Sequence, residues 1–273
     1  MRRIRVIPVL LMNQGKLEKT VKFKSPKYVG DPINAVRIFN EKEVDELVVL
    51  DIGASPLKKA PDFSKVREIA GECFMPLGYG GGIKSLDHAS KLFHAGVEKV
   101  IINTAVVENP GLVEEIASRY GSQSVVVSID YKKDLFGKEK VYVKGGRKKT
   151  GKNVLEYALE AEKAGAGEII LNSIERDGTF ESYDIEMLKR LCPKLNIPVV
   201  ACGGAGKLSH FKEAVSNGGA SAVSAGSLFV FKGIHRAVLI NYPDQKMLAE
   251  KVFMPLSKEG VTIKLNRTWN QQT

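Results

Sequence analysis

Residues 79–83 read YGGGI, and residues 202–206 read CGGAG. The tetrapeptide NTAV at 103–106 has a counterpart in GSLF at 226–229. Gly81 lies 123 residues before Gly204, and Asn103 lies 123 residues before Gly226. Self-similarity at a fixed offset is typical of a chain built from repeated structural units. The spacing predicts two halves with the same order of elements.

Around these motifs, short apolar runs alternate with amphipathic stretches along the chain. The eight runs are RIRVIPVLL, ELVVLDI, FMPLGYGGG, KVIINT, SVVVSID, EIILNSI, IPVVACGG and SAVSAGS. Strands that are apolar almost throughout are buried on both faces, as in a parallel sheet. Eight β-then-α units in about 230 residues predict an α/β fold, a (β/α)8 TIM barrel built from two half-barrels, rather than an open doubly wound sheet.

No linker or composition break divides the chain, so we expect a single barrel domain over residues 1–273. A C-terminal extension is expected from about residue 242 to residue 273. Within it, MLAEKV (247–252) predicts a last helix and GVTIKL (260–265) predicts a short strand.

Composition excludes several classes of protein. The apolar run after the basic N-terminus is short and contains Pro8, so it is interpreted as a first strand rather than a signal peptide or a membrane span. The three cysteines lack C-x-x-C spacing and the four histidines lack ligand spacing. We therefore expect no disulfide framework, no metal, no cofactor, no membrane partner and a cytoplasmic location.

The net charge of +10 is concentrated in two segments that follow strand-like runs. They are GKLEKTVKFKSPKYVG (15–30) and KKDLFGKEKVYVKGGRKKTGK (132–152). Lys19 in the first segment is predicted to bind the phosphate of a substrate. A nucleic-acid binder combines such charge with stacking aromatic residues, so no nucleic-acid partner is expected. A solvated surface explains any single lysine. The two segments together favour a phosphorylated or nucleotide-linked small molecule.

Barrel enzymes build their sites at the carboxyl ends of the strands, so both halves should place related groups around one mouth. Glycine lets backbone N–H groups approach phosphate oxygens closely. The glycine motifs therefore predict two anion cradles, one from Gly81, Gly82, Asn103 and Thr104, and one from Gly203, Gly204, Gly226 and Ser227, with Asp177 and Gly178 completing the second. Asp51 should face the same cavity, with a buried structural carboxyl as its alternative. Tight turns alone are the alternative explanation of the glycines, but their paired occurrence favours phosphate sites.

Several strings carry a family resemblance: LDIGAS, YGGGI, NTAVVENP, GSQSVVVSID, GAGEIILNSIERDG and ACGGAGKLSHF. Over residues 3–240 they resemble the cyclase subunit of imidazole glycerol phosphate synthase, the HisF family. The resemblance implies a barrel that receives ammonia from a HisH-like glutaminase at its N-terminal face. At the other end it implies cleavage and cyclisation of a bis-phosphorylated histidine precursor by two Asp residues. Asp130 matches the fifth-strand Asp, and Leu11 occupies the first-strand position.

Leu11 changes the expected chemistry, because leucine cannot carry a proton and residues 12–14 offer no ionisable replacement. Loss of one positioned acid or base typically costs about 10²- to 10⁴-fold in rate. The strings KTVKFKSPKYVGDPINAVRIFNEKEVDEL and GSLFVFKGIHRAVLINYPD resemble a divergent WbuZ-type branch of the family, associated with glycosyl amidation.

That branch implies the synthase-side subunit of a glutamine-dependent amidotransferase. It would conduct ammonia for amidination of a nucleotide-linked sugar, giving acetamidino sugars for lipopolysaccharide or other surface polysaccharide, with a sugar amidotransferase as a further partner. Two alternatives stay open. One is the cyclase, a lyase of histidine biosynthesis, and the other is a non-catalytic scaffold.

The strand beginnings carry four charges: Arg5, Glu46, Lys99 and Glu168. The family resemblance implies that such a ring closes the ammonia entrance. Three of the four share the strand parity of inward-facing mouth residues, whereas Glu46 has the opposite parity to Asp51 and would need a bulge or an irregular strand entry. Ordinary surface charges are the alternative. A balanced ring is favoured because it offsets the cost of burying isolated charges.

Overall fold

The computed structural model describes residues 4–233 and 235–261. Eight parallel strands form a closed barrel, which confirms the predicted (β/α)8 TIM barrel. Each strand pairs with the next, and β8 returns to β1, with Ala222 opposite Arg5. The strands are β1 (Arg5–Asn13), β2 (Leu47–Asp51), β3 (Leu77–Gly80), β4 (Lys99–Ile102), β5 (Val125–Lys133), β6 (Glu168–Ser173), β7 (Val199–Cys202) and β8 (Ala222–Ala225).

Amphipathic helices connect the strands and bury their apolar sides against the barrel. They are α1 (Pro32–Glu41), α2 (Phe63–Glu72), α3 (Leu86–His94), α4 (Leu112–Tyr120), α5 (Val154–Lys163), α6 (Ile185–Leu191) and α7 (Leu208–Ser216). Their starts follow local rules. The carboxylate of Asp31 accepts hydrogen bonds from the N–H groups of Ile33 and Asn34 at 2.9 and 3.2 Å, and Pro32 occupies the first turn.

The barrel interior contains its own apolar cluster, separate from the larger core between barrel and helices. The interior cluster consists of Ile7, Val9, Val48, Ile101, Val126, Ile170, Val200 and Ala222, with Leu11, Leu50 and Cys202 packed against it. Because successive strand side chains alternate between faces, residues two positions away along a strand face the same interior. The inward-facing positions therefore extend from the charged residues at the amino ends of the strands to Leu11 near the carboxyl end of β1.

One expectation about strand parity is wrong. Glu46 shares the parity of Val48 and Leu50, both of which face the interior, so it points inward without any bulge. The expectation failed because Asp51 was taken as the inward-facing residue of this strand. The side chain of Asp51 instead turns to the following loop, where it accepts hydrogen bonds from Gly53 and Ala54.

The two basic segments, expected as loops, form β-hairpins at equivalent places in the two halves. After β1, the strand Lys16–Val21 pairs with Lys24–Gly30, and after β5, the strand Glu139–Val143 pairs with Lys148–Lys149. The first strand of each hairpin also pairs with the barrel strand before it, with Leu11 opposite Glu18 and Asp130 opposite Tyr142. Leu11 and Asp130 thus occupy corresponding positions in the two half-barrels.

The segments after β4 and β8 also correspond, since each begins with a short helix, Thr104–Glu108 or Ser227–Val230. Beyond Asp244 the chain forms three successive helical segments, Gln245–Leu248, a π-helix Ala249–Phe253, and Met254–Lys258, which include the helix expected at 247–252. Of the strand expected at 260–265, residues 262–265 lie outside the described residues. None of the described helices has the length and apolar character needed to cross a membrane.

Candidate active site

A cavity opens at the carboxyl ends of the barrel strands. Its lining includes every mouth residue predicted from the sequence: Leu11, Lys19, Asp51, Gly81, Gly82, Asn103, Thr104, Asp130, Asp177, Gly178, Gly203, Gly204, Gly226 and Ser227. The fold therefore gathers residues from both halves of the chain around one opening. Their roles in binding or catalysis stay predictions.

The paired glycines make the turns that leave β3 and β7. Gly81 and Gly204 have φ angles of 116° and 112°, in the left-handed region that disfavours other residues. A Cβ atom on Gly81 would lie 2.3 Å from the Asp51 carbonyl oxygen, and one on Gly204 would lie 2.1 Å from that of Ser182. These glycines are thus required by the turns themselves. The same turns place backbone without side chains at the cavity. The glycines are therefore consistent with both explanations, tight turns and phosphate binding.

The second cradle has an open polar group. The Ser227 hydroxyl is buried and has no hydrogen-bond partner among the described residues. Beside it, the Lys19 side chain passes Gly226, where a Cβ atom would lie 3.0 Å from the lysine Cε. Lys19 Nζ lies 2.8 Å from Asp177 Oδ1 in a buried ion pair. A buried hydroxyl without a partner is costly, so this cradle is suited to a polar ligand.

In the first cradle, several polar groups are already hydrogen-bonded within the chain. The Thr104 hydroxyl accepts a hydrogen bond from the backbone N–H of Lys144 at 3.1 Å and donates one to Asn103 Oδ1 at 3.3 Å. The Gly82 N–H donates to the Ser55 hydroxyl at 3.4 Å. An anion here would have to compete with these contacts. The two cradles are therefore equivalent in position but different in how far their polar groups are already satisfied.

Asp130 lies at the end of β5 between two amide side chains. Asn172 Nδ2 donates to its Oδ1 at 3.1 Å, and Asn103 Nδ2 donates to its Oδ2 at 3.3 Å. Burial raises the pKa of Asp130 to about 7; the Asn172 hydrogen bond opposes this rise, and the charge of Asp177 adds to it. A carboxyl that titrates near neutral pH can both accept and return a proton, which is the requirement for general acid–base catalysis.

Three carboxyl groups line the cavity, and their partners differ. Asp177 is neutralised by Lys19. Asp51 Oδ1 accepts from the N–H groups of Gly53 and Ala54, both at 3.0 Å, and burial raises the pKa of this carboxyl. Asp51 thus caps a turn, which agrees with its structural alternative. Among the cavity carboxyls in the described part of the chain, Asp130 has the environment best suited to proton transfer.

Leu11 faces the cavity from β1 and packs against the interior apolar cluster. It offers no proton donor or acceptor at the position that corresponds to Asp130. Other cavity residues were not predicted as site residues: Thr20, Phe23, Ser128, Arg147 and Asn172. Strand parity with Glu168 was the available signal for Asn172, and the basic composition of residues 132–152 was the signal for Arg147. Nothing in the sequence pattern distinguished Phe23.

At the other end of the barrel, Arg5, Glu46, Lys99 and Glu168 form a closed ring of alternating charge. The Arg5 guanidinium pairs with both Glu46 and Glu168. Lys99 Nζ lies 3.0 Å from Glu46 Oε2 and 3.0 Å from Glu168 Oε2. Burial lowers the pKa of Arg5, but the hydrogen bonds and charges of Glu168 and Glu46 outweigh this effect and raise it. The four groups form one network that closes the amino end of the barrel, below its apolar interior.

The chain is thus a repeated (β/α)8 barrel with a ring of four charges at its amino end and a glycine-rich mouth at its carboxyl end. The profile of the family described as "Histidine biosynthesis protein" matches residues 5–235, and the chain belongs to this family.

The similar relatives are named as HisF subunits. The chain is 54% identical over 246 residues to the "Putative imidazole glycerol phosphate synthase subunit hisF2" of Pseudomonas aeruginosa, an alignment that covers 90% of this chain and 98% of that protein. It is 48% identical over 244 residues to a protein of Vibrio vulnificus named "Putative imidazole glycerol phosphate synthase subunit hisF3", covering 89% and 94%. The "Imidazole glycerol phosphate synthase subunit HisF" of Pyrobaculum aerophilum is 44% identical over 241 residues, covering 88% and 94%.

Proposed function

We propose that this chain is the synthase-side subunit of a glutamine-dependent complex of the imidazole glycerol phosphate synthase type. It receives ammonia from a glutaminase docked at the amino end of the barrel and uses it on a phosphorylated substrate at the mouth. The observation that carries this proposal is the arrangement of one barrel interior between the charged ring and Asp130. The names of the relatives support the same class of complex.

The ring suits the entry of ammonia. Two cations and two anions offset one another, so the barrel base carries its charges without a large net desolvation cost. The interior above the ring is apolar. Such a lining disfavours the passage of ions, including ammonium, whereas neutral ammonia is small and loses less on leaving water. A glutaminase seated against the ring would deliver ammonia out of contact with bulk water.

The mouth suits a substrate with two anionic groups. The cradles after β3 and β4 and after β7 and β8 lie on opposite sides of one cavity, with Asp130 on β5 between them along the chain. Backbone N–H groups in such turns bind phosphate oxygens. Phosphates held at both cradles would place the reacting part of the substrate near Asp130, which then takes and returns a proton.

Two reactions fit this class. The names of the relatives favour the formation of imidazole glycerol phosphate in histidine biosynthesis. Leu11 is the observation that favours amidination of a nucleotide-linked sugar for surface polysaccharide, with a sugar amidotransferase as a further partner, because the mouth lacks the second proton-transfer group. A non-catalytic scaffold is disfavoured, since a carboxyl held at a pKa of about 7 costs folding stability without a catalytic return.

The first experiment tests whether the chain belongs to a glutamine-dependent complex with a glutaminase. The purified chain is mixed with the glutaminase encoded in the same genome, and binding and glutamine hydrolysis are measured. We expect a stable complex with stimulated hydrolysis. Absence of both would overturn the proposal.

The second experiment separates the two reactions. The gene is expressed in a histidine auxotroph that lacks its own cyclase. Growth would assign histidine ring formation and reject the amidination candidate. Absence of growth, with soluble chain that still binds its glutaminase, would reject the cyclase and favour amidination, which is then tested by formation of an amidinated sugar with the sugar amidotransferase added.

A further inference from the structure

The turn between β5 and the next strand, Glu139–Val143, has two adjacent exposed apolar side chains at its tip. Leu135 is 101% exposed and Phe136 is 86% exposed. The turn that presents them is well formed, because Asp134 Oδ1 accepts hydrogen bonds from the N–H groups of Phe136 and Lys138 at 2.9 and 3.1 Å. Single exposed apolar residues are common on soluble proteins. Two large neighbours held outward on an ordered turn are not explained by packing within this chain.

The segment that contains this turn is strongly basic. Residues 132–152 contain nine Lys and Arg and two Asp and Glu. Within the described part of the chain, three of these nine cations form an ion pair with a carboxylate: Lys144, Lys149 and Lys152. Only Arg147 among them lines the mouth cavity. A small anionic substrate therefore does not account for the lysines that flank the tip, which are Lys132, Lys133, Lys138 and Lys140.

The tip stands at the rim of the barrel rather than over the mouth. Arg190 of α6 bonds Glu139 at 2.7 Å, and the backbone N–H of Lys133 donates to Glu175 at 3.1 Å. These contacts hold the base of the hairpin against the loop after β6 and helix α6. No residue of 134–138 lines the cavity. A surface can meet the tip while the mouth remains open.

We propose that this Leu–Phe tip, residues 132–140, docks the protein on an anionic phospholipid surface. Leu135 and Phe136 enter the interfacial layer, and the flanking lysines pair with anionic headgroups. A specific protein partner would need about 800 Å² of contact on each side, with an apolar centre. A protruding wedge of two side chains fits a lipid interface better. The association is peripheral, and it departs from the absence of a membrane partner expected from the sequence.

The test uses the purified full-length chain and sedimentation with vesicles. Vesicles of phosphatidylcholine alone are compared with vesicles that contain phosphatidylglycerol in equal amount. We expect binding to the anionic vesicles only, weakened by added salt. The double variant Leu135→Ser/Phe136→Ser should lose roughly a hundredfold in affinity, because two apolar side chains no longer leave water. The double variant Lys132→Gln/Lys138→Gln should lose about tenfold or more.

A matched control is Phe74→Ser, in the loop before β3 at the opposite end of the barrel, where the side chain is also 86% exposed. This variant should bind anionic vesicles like the parent. Insertion is read from Phe136→Trp in a Trp269→Phe background, whose emission should shift to the blue only with anionic vesicles.

Three results would overturn the proposal. The first is failure of the parent to sediment with anionic vesicles, and the second is binding of Leu135→Ser/Phe136→Ser to these vesicles with the affinity of the parent. The third is that the parent does not bind vesicles and Leu135→Ser/Phe136→Ser loses affinity for a soluble protein partner. This result would make the tip a protein-docking site. Thermal unfolding of each variant checks that the fold is unchanged.

Discussion

Asp130 is costly to bury, and the cost depends on its charge. The buried carboxyl accepts hydrogen bonds from the side-chain amides of Asn103 and Asn172, and no cation pairs with it within the described residues. Burial therefore raises its pKa to about 7, above the value of about 4 in an unfolded chain. Below the lower pKa both states are protonated and no penalty exists. The penalty grows as pH rises between the two values and is complete above the higher one.

Replacing the carboxyl by its neutral isostere should remove that penalty. We expect Asp130→Asn to abolish turnover and to raise the free energy of unfolding by about 1 to 3 kcal/mol above neutral pH, with little change near pH 4. Urea denaturation of parent and variant at the two pH values measures this difference. A stability change independent of pH would contradict the assignment of the raised pKa to Asp130.

Asn172 lowers the proton affinity of the same carboxyl, against the larger effect of burial. Its amide donates to Oδ1 at 3.1 Å and so favours the ionised form. Asn172→Ala should move the pKa of Asp130 above about 7, and the pH at which activity is half-maximal should rise with it. Asn103→Ala removes a longer bond of 3.3 Å and should shift the profile less. A carboxyl ¹³C titration provides the measurement, and an unchanged pKa in Asn172→Ala would argue against this role.

Among the elements, the turns after β3 and β7 combine a structural need with a functional opportunity. The backbone there leaves a strand, adopts positive φ at paired glycines and passes so close to neighbouring carbonyls that no side chain fits. The same geometry leaves main-chain groups uncovered at the cavity. The basic segments 15–30 and 132–152 extend the mouth outward and hold 14 of the 41 Lys and Arg residues with three carboxylates, a net charge of +11. Binding surface is thus added without altering the barrel.

Gly204 offers the sharpest test of that structural need. We expect Gly204→Ala to lower the free energy of unfolding by about 2 to 4 kcal/mol, since the methyl group meets the Ser182 carbonyl and φ becomes strained. Gly151 has a positive φ of 83° but nothing within 4 Å of a Cβ atom. Gly151→Ala should therefore cost only about 1 kcal/mol. Equal losses in thermal or urea unfolding would show that crowding at Gly204 is relieved by movement of the loop.

At the scale of the whole molecule, the barrel separates two chemical environments along one axis. The closed ring of four charges is held at the amino end by residues that are distant in sequence, and the proton-transfer group lies at the carboxyl end. Strand parity connects the two ends, because the inward-facing positions of each strand run from the ring through the apolar interior to the mouth. In the proposed function, this arrangement keeps nitrogen delivery and substrate chemistry apart on one scaffold.

Removing one cation of the ring tests this separation. We expect Lys99→Met to destabilise the chain by about 1 to 3 kcal/mol, because Glu46 and Glu168 then share Arg5 alone. In complex with the glutaminase, product formation from glutamine should fall much more than product formation from added ammonium. Lys91→Met breaks an exposed helix pair with Asp87 and should change stability by less than about 0.5 kcal/mol. Equal losses with both nitrogen sources would contradict the proposed passage of ammonia through the ring and the barrel interior.

The sequence by itself determined the barrel and fourteen of the residues that line its mouth, but not others such as Arg147 and Asn172. Eight apolar runs separated by amphipathic stretches, and a glycine motif repeated at a constant offset, are local signals that survive without knowledge of contacts. They placed Gly81, Gly204 and Asp130 at strand ends, and in a barrel all strand ends meet. Composition identified the basic segments but did not predict that they form hairpins, because their pairing with β1 and β5 depends on contacts made only in the folded chain.

Only the tertiary structure decided what these groups can do. The proton affinity of Asp130 depends on burial and on an amide 42 residues later in the chain, and neither is written in the local pattern. The parity argument failed at Asp51 because a side chain at a strand end can turn to the following loop, where two N–H groups were available. Charge, burial and hydrogen bonding between distant segments are properties of the closed barrel. Strand parity counted from Asp51 therefore wrongly required an irregular strand entry for Glu46, although Glu46 was predicted in the ring and Asp51 at the cavity.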